Sequence, residues 1–172
     1  MSKKNFGGSV LKDLGLVIVF LLLVAVLAVA SGGAFIKGSN IVNILKQTAV
    51  NGILAMGMTF VIISNGIDLS VGSTVGLAGV IACMFAHPLE AGAVTGAAQY
   101  PLAVPILAAL LVGALVGLFN GFGIAYGGIP PFIVTLGSMS IVRGLALVVS
   151  KGSPIYDVTS RFEAIASIKL FG

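Results

Sequence analysis

Charge is what this chain has least of. Its 172 residues include 9 Lys or Arg and 5 Asp or Glu, 8% charged in all, against roughly 25% in an ordinary water-soluble domain. With 58% hydrophobic residues and a mean hydropathy of +1.18, most of the chain has no means of forming a hydrated surface. A soluble globular fold is thereby excluded, and an integral membrane protein is indicated. The basic residues are few and scattered over termini and connections, which excludes a nucleic-acid footprint. The lone cysteine, Cys83, lies in an apolar run, so there is neither a disulfide framework nor a cysteine-rich metal site. His87 has no second histidine to share a metal with, and reads as a residue of the membrane edge. No GxxxxGK[ST], HExxH or GxSxG run occurs, so the chain has no Walker-type phosphate loop of its own and no sign of an active site. No enzyme activity, bound cofactor or metal is expected.

What is present is a polar break between two apolar stretches. Thr48 to Ser64 reads as a helix and runs into Asn65-Gly66 and the acid Asp68, after which Ser70-Val71-Gly72-Ser73 opens a second apolar helix to Ala86. Unpaired backbone groups cost several kcal/mol each in hydrocarbon, so irregular chain persists there only under protein or beside a wet cavity. Residues 65–73 are therefore expected inside a helix bundle or along a path. Asp68 or Ser70 has two readings, as the cap of a helix beginning near Val71 or as part of a substrate or gating site.

Ahead of the break, Lys3, Lys4 and Lys12 precede an uncharged run from Leu14 to Ala30. As a helix that run covers about 25 Å, short of the ~30 Å hydrocarbon core unless it continues through Ser31 to Phe35. The lysines place the N-terminus in the cytoplasm; a cleaved secretory signal ending at Ala28-Val29-Ala30 is the rival reading. Gly38 to Gln47 reads as a short amphipathic interfacial piece, capped by Ser39 or Asn40, with Ile41, Ile44 and Leu45 on one face. Met56, Met58 and Met84 read as gap fillers between helices.

Beyond the break, Pro88 to Pro101 lacks Lys and Arg, which favours the outer face. Ala109, Gly113, Gly117 and Gly121 then recur every four residues, a stripe on which a neighbouring helix is expected to pack closely. Asn120 lies beside it, suited to an interhelical hydrogen bond or to substrate. Pro130-Pro131 ends that segment. Phe132 to Ser150 contains Arg143, which is costly at membrane depth and marks either a site or an interface anchor. Asp68 is its expected mate. Residues 151–172 form a more polar tail whose side of the membrane stays open. The fold class expected is an all-α membrane protein with about five transmembrane or half-spanning helices broken at 65–73; residues 1–13 are expected in the cytoplasm and 14–150 to form the transmembrane region.

Several runs resemble one family. Asn43-Ile44-Leu45, Leu54 to Thr59, Gly66-Ile67-Asp68-Leu69-Ser70-Val71-Gly72-Ser73, Ile129 to Gly137, Arg143-Gly144 and Gly152-Ser153-Pro154 look like the membrane permease of ribose-type sugar ABC importers. The family often has Gly where this chain has Asn65. The resemblance implies an inner-membrane subunit that pairs with a second permease subunit, receives a sugar from a periplasmic binding protein and is driven by a cytoplasmic ATPase, ATP being used by that partner. It covers roughly the first half of such permeases, and the ATPase-docking loop of the GGN-x-x-AA-x-x-SGI type is not found, so a fragment, a truncated product or one piece of a split permease is expected. A path for a sugar needs uncharged hydrogen-bonding groups, for which Asn51, Thr59, Asn65, Ser70 and Asn120 are the candidates, with Asp68 and Arg143 added as charged ones. An uncoupled channel, an ion-coupled carrier and a non-transporting remnant stay open as alternatives.

Overall fold

The computed structural model describes residues 6–87, 100–156 and 158–167, with side chains described from residue 14 onward. The fold is all-helical among these residues. Its helices are α1 (Phe6–Ala30), α2 (Gly38–Ile63), α3 (Val71–Ala86), α4 (Ala103–Ala125), α5 (Pro131–Val149) and α6 (Ser160–Ser167), with a short 3-10 turn at Ala34–Ile36. Three of them, α2, α4 and α5, are long and apolar enough to cross a membrane; Leu14–Ala30 and α3 are shorter apolar helices. The five apolar helices and the break between α2 and α3 match the sequence reading. The connection between Pro88 and Pro101 lies almost wholly outside the described residues, as do Glu90, Asp157 and the end of the tail.

The chain divides into two compact units, Met1–Met56 and Gly57–Gly172. In the first, α1 ends where Gly32 N–H donates to Val29 C=O at 3.0 Å and Gly33 N–H to Ala28 C=O at 2.8 Å, a Schellman closure that satisfies two terminal carbonyls. The helix therefore does not run on through Ser31 to Phe35 as the spanning length suggested; it reaches back to Phe6 instead. Gly38 to Gln47 is also no separate interfacial piece, because it forms the opening turns of the continuous helix α2. Asn40 does not cap that helix from its N-cap position. Its Nδ2 donates back to Phe35 C=O at 2.7 Å and ties α2 to the preceding turn.

In the second unit, α3 packs against α4 and α5, and α4 packs less extensively on α5. Proline positions the last two: Pro105 falls in the first turn of α4 and Pro131 opens α5, where a missing N–H removes no helical bond. The packing is inverted relative to a soluble protein. Beside Leu77 and Val142, the buried side chains are small or polar, with Ser70 at 1% exposure and Thr135 at 2%, while Phe60 is 75% exposed and Leu118 70%. An outward face of this kind matches a hydrocarbon surround, where lipid solvates apolar side chains and small or polar residues join the helices.

Candidate functional site

The break is built from two local devices. The first ends α2: Asn65 N–H donates to Ile62 C=O at 3.0 Å and Gly66 N–H to Val61 C=O at 2.9 Å, with Asn65 at φ 55. This is a second Schellman motif, and asparagine tolerates its left-handed position better than other residues with a side chain. A Cβ at Gly66 would lie 3.1 Å from Val61 Cγ1 and 3.2 Å from Val61 C=O, so glycine fits the tight return without displacing Val61. The second device starts α3. Asp68 Oδ1 accepts from Ser70 N–H at 2.7 Å and from Ser70 Oγ at 2.6 Å, an Asx turn that also sets a negative charge ahead of a helix N-terminus. Asp68 thus closes the turn that leads into α3, its printed bonds going to Ser70 at the helix boundary. Ser70, the residue at the helix boundary, makes no side-chain cap bond of its own.

Two side chains from other helices hold this corner. Asn120 on α4 donates from Nδ2 to Ser70 Oγ at 2.9 Å, and Thr135 on α5 donates from Oγ1 to Ile67 C=O at 3.1 Å while also reaching Pro131 C=O at 2.8 Å. Ser138 lies one turn further along α5, buried, its Oγ donating to Thr135 C=O at 3.2 Å. Asp68, Ser70 and Asn120 therefore form one hydrogen-bonded chain, and its last atom, Asn120 Oδ1, is buried without a donor among the described residues. Such an acceptor costs about 1–3 kcal/mol when left unpaired.

Asn65 is exposed and acts as the terminator of α2. Thr59 and Asn51 are exposed on α2, with Asn51 in the other compact unit. Arg143 is exposed on α5, and the Asp68 carboxylate takes its bonds from Ser70 rather than from this guanidinium. The residues that sequence reasoning passed over are Thr135 and Ser138. Both are single hydroxyls in an apolar helix, and only the match of the run Ile129 to Gly137 singled out their neighbourhood.

The glycines of the small-residue stripe are open among the described residues. A Cβ at Gly113, Gly117 or Gly121 would meet nothing within 4 Å, so α4 does not join α3 or α5 along it. Helix geometry gives the reason: a strict four-residue step drifts about 40° per repeat on a 3.6-residue helix, carrying the stripe off the packed side on which Pro105 and Asn120 are buried. The close approach of α4 and α5 falls at Gly123 instead, where a Cβ would lie 3.2 Å from Val134 Cγ1. Gly123 and Val134 line an apolar cavity of about 270 Å³, which shares Phe119, Ser138 and Ile141 with a second of about 340 Å³.

Residues 40–169 match the family described as branched-chain amino acid transport system / permease component, and the chain belongs to that permease family. Among curated relatives, the xylose transport system permease protein XylH of Escherichia coli K12 is 38% identical over 165 residues, covering 92% of this chain and 39% of that protein. XylH of Haemophilus influenzae is 37% identical over 150 residues, 87% of this chain and 38% of the relative. The ribose import permease protein RbsC of Escherichia coli K12 is 40% identical over 138 residues, 80% of this chain and 40% of the relative. The chain thus spans about two fifths of the length of the curated relatives it matches. No solved structure matches it. A multi-pass membrane protein of a permease family is what the apolar helices and these matches establish.

Proposed function

We propose that this chain contributes part of the translocation path of an ATP-driven importer of monosaccharides in the bacterial inner membrane, with its N-terminus in the cytoplasm. The observation that carries the reading is the hydrogen-bonded chain of Asp68, Ser70 and Asn120, which fixes a polar break among apolar helices, in a protein whose relatives are named for xylose and ribose transport. A break held by neutral hydroxyl and amide groups suits a ligand made of hydroxyls. High affinity is not needed there if a periplasmic sugar-binding protein delivers the sugar. In this reading a second permease subunit encloses the path, and a cytoplasmic ATPase supplies the energy and binds the ATP. This chain holds no cofactor. The helices flanking the break then rock so that the path opens to one face at a time.

The test is uptake of labelled xylose and ribose into proteoliposomes containing this chain, the remainder of the permease, the ATPase and the binding protein. Uptake that requires ATP, and that falls when Ser70 or Asn120 is replaced, is the expected result. Uptake driven by a proton or sodium gradient without nucleotide would instead establish the ion-coupled alternative.

A further inference from the structure

At one end of the second unit three elements converge. The last turn of α3 is joined to the start of α6 by a hydrogen bond from Thr159 N–H to Ala86 C=O at 2.9 Å. Tyr100 and Pro101 lead into α4 beside them, with the Tyr100 ring edge-on to Phe85 at 5.6 Å. Between these elements lies a cavity of about 210 Å³ whose polar side is made by Arg161, Thr159 and Tyr100, and whose apolar side includes Ala86, Leu102 and Phe162. A second cavity of about 520 Å³ shares Pro105 and Phe162 with it and is lined otherwise by Ala82, Ile106, Ala109, Leu110 and Ile165, with no polar side chain. The two adjoin at Pro105 and Phe162, a polar cavity beside an apolar one.

We propose that this site binds one anionic phospholipid, its phosphate held at Arg161, Tyr100 and Thr159 and one acyl chain lying along α4. The direction fits. Leu102 lines the polar cavity and Leu110 the apolar one, so the pair extends about 12 Å down the helix axis, from the end where the chain leaves α3 and enters α4 into the span itself. Tyrosine and a basic residue at such an end occupy the headgroup level of a bilayer, and a guanidinium prefers an anionic headgroup to a zwitterionic one. The described acid on the same helix, Glu163, follows Arg161 by two residues and so points about 200° away around the helix. Asp157 lies outside the described residues.

Native mass spectrometry of the chain released from neutral detergent, after incubation with phosphatidylglycerol or phosphatidylcholine, tests this. Phosphatidylglycerol is expected to be retained about five-fold over phosphatidylcholine, the equivalent of one basic side chain at an anionic surface. Arg161→Gln abolishes that preference and Arg161→Lys keeps most of it. Ile106→Trp, which fills the apolar cavity, lowers retention of both lipids. Retention of phosphatidylglycerol unchanged in Arg161→Gln overturns the proposal. Displacement of the lipid by inorganic phosphate at equal concentration also overturns it, since a free-anion site would need no acyl groove.

Discussion

Asn120 donates from its Nδ2 to the Oγ of Ser70 at 2.9 Å across 50 residues of sequence, and its own Oδ1 is left buried without a donor. The bond is one-sided: Ser70 Oγ already spends its proton on Asp68, so the amide supplies a donor where one is needed and an acceptor where none is. In Asn120→Leu both the bond and the orphan acceptor disappear while Ser70 keeps Asp68, and the expected change in stability is within about 1 kcal/mol. In Asn120→Asp a buried carboxylate, with no proton for Ser70, is set near Asp68, and the loss exceeds about 2 kcal/mol. The half-buried Cys83 on α3, read by a thiol-reactive fluorophore during heating in detergent, ranks the two. A larger loss in the leucine variant would contradict the bond assignment.

Thr135 is the second anchor of the break, and its hydroxyl reaches Ile67 C=O at 3.1 Å across 68 residues. Thr135→Val keeps the shape but removes a donor from that carbonyl, and is expected to cost about 1–2 kcal/mol. Thr135→Ser keeps the hydroxyl and loses less. Amide hydrogen exchange over residues 65–70 provides a local readout, with faster exchange in the valine variant than in the serine one.

The broken helix itself was legible because its signals are local. Asn65-Gly66 stops a helix through backbone geometry, and Asp68 two residues before Ser70 is the spacing of an Asx turn. Asn120 was legible for another reason, since an amide in an apolar run has few uses besides a bond to a neighbouring helix or to substrate. Thr135 was not: a threonine hydroxyl bonds its own helix by default, and nothing nearby in sequence says that it also serves Ile67. The glycine stripe reports that a close approach is permitted without saying which helix makes it, and among the described residues none does at Gly113, Gly117 or Gly121. The length of α1 and the continuity of α2 were misjudged where a run of apolar residues was equated with a helix, although polar residues such as Asn40 and Lys46 continue one without interruption.

Helix ends give a direct test of backbone strain. Asn65 and Lys151 occupy the same left-handed position after α2 and α5, at φ 55 and φ 53, but lysine lacks the short amide that eases it. Lys151→Gly is expected to raise stability by up to about 1 kcal/mol. Asn65→Gly is near neutral, and Asn65→Val lowers stability by about 1–2 kcal/mol. The order Gly ≥ Asn > Val at position 65 is checked by the same thermal assay.

Glycines on α4 separate contacts within this chain from contacts with whatever else surrounds it. Gly127 follows α4 in the turn that leads to Pro130 and α5, and a Cβ there would sit 2.5 Å from Gly123 C=O, a backbone atom near the end of α4, so Gly127→Ala displaces that turn and is expected to cost about 1–3 kcal/mol. At Gly113, Gly117 and Gly121 the space is open, and alanine there is expected to raise the stability of the isolated chain by up to about 1 kcal/mol per site through helix propensity alone. Enlarging the same positions to leucine leaves the chain folded but blocks any helix that approaches backbone to backbone. If the stripe receives a helix of the assembled permease, leucine at Gly117 abolishes co-purification with the other subunits while the thermal midpoint of the isolated chain holds. If co-purification survives, the stripe faces lipid, and close packing plays no part in its spacing.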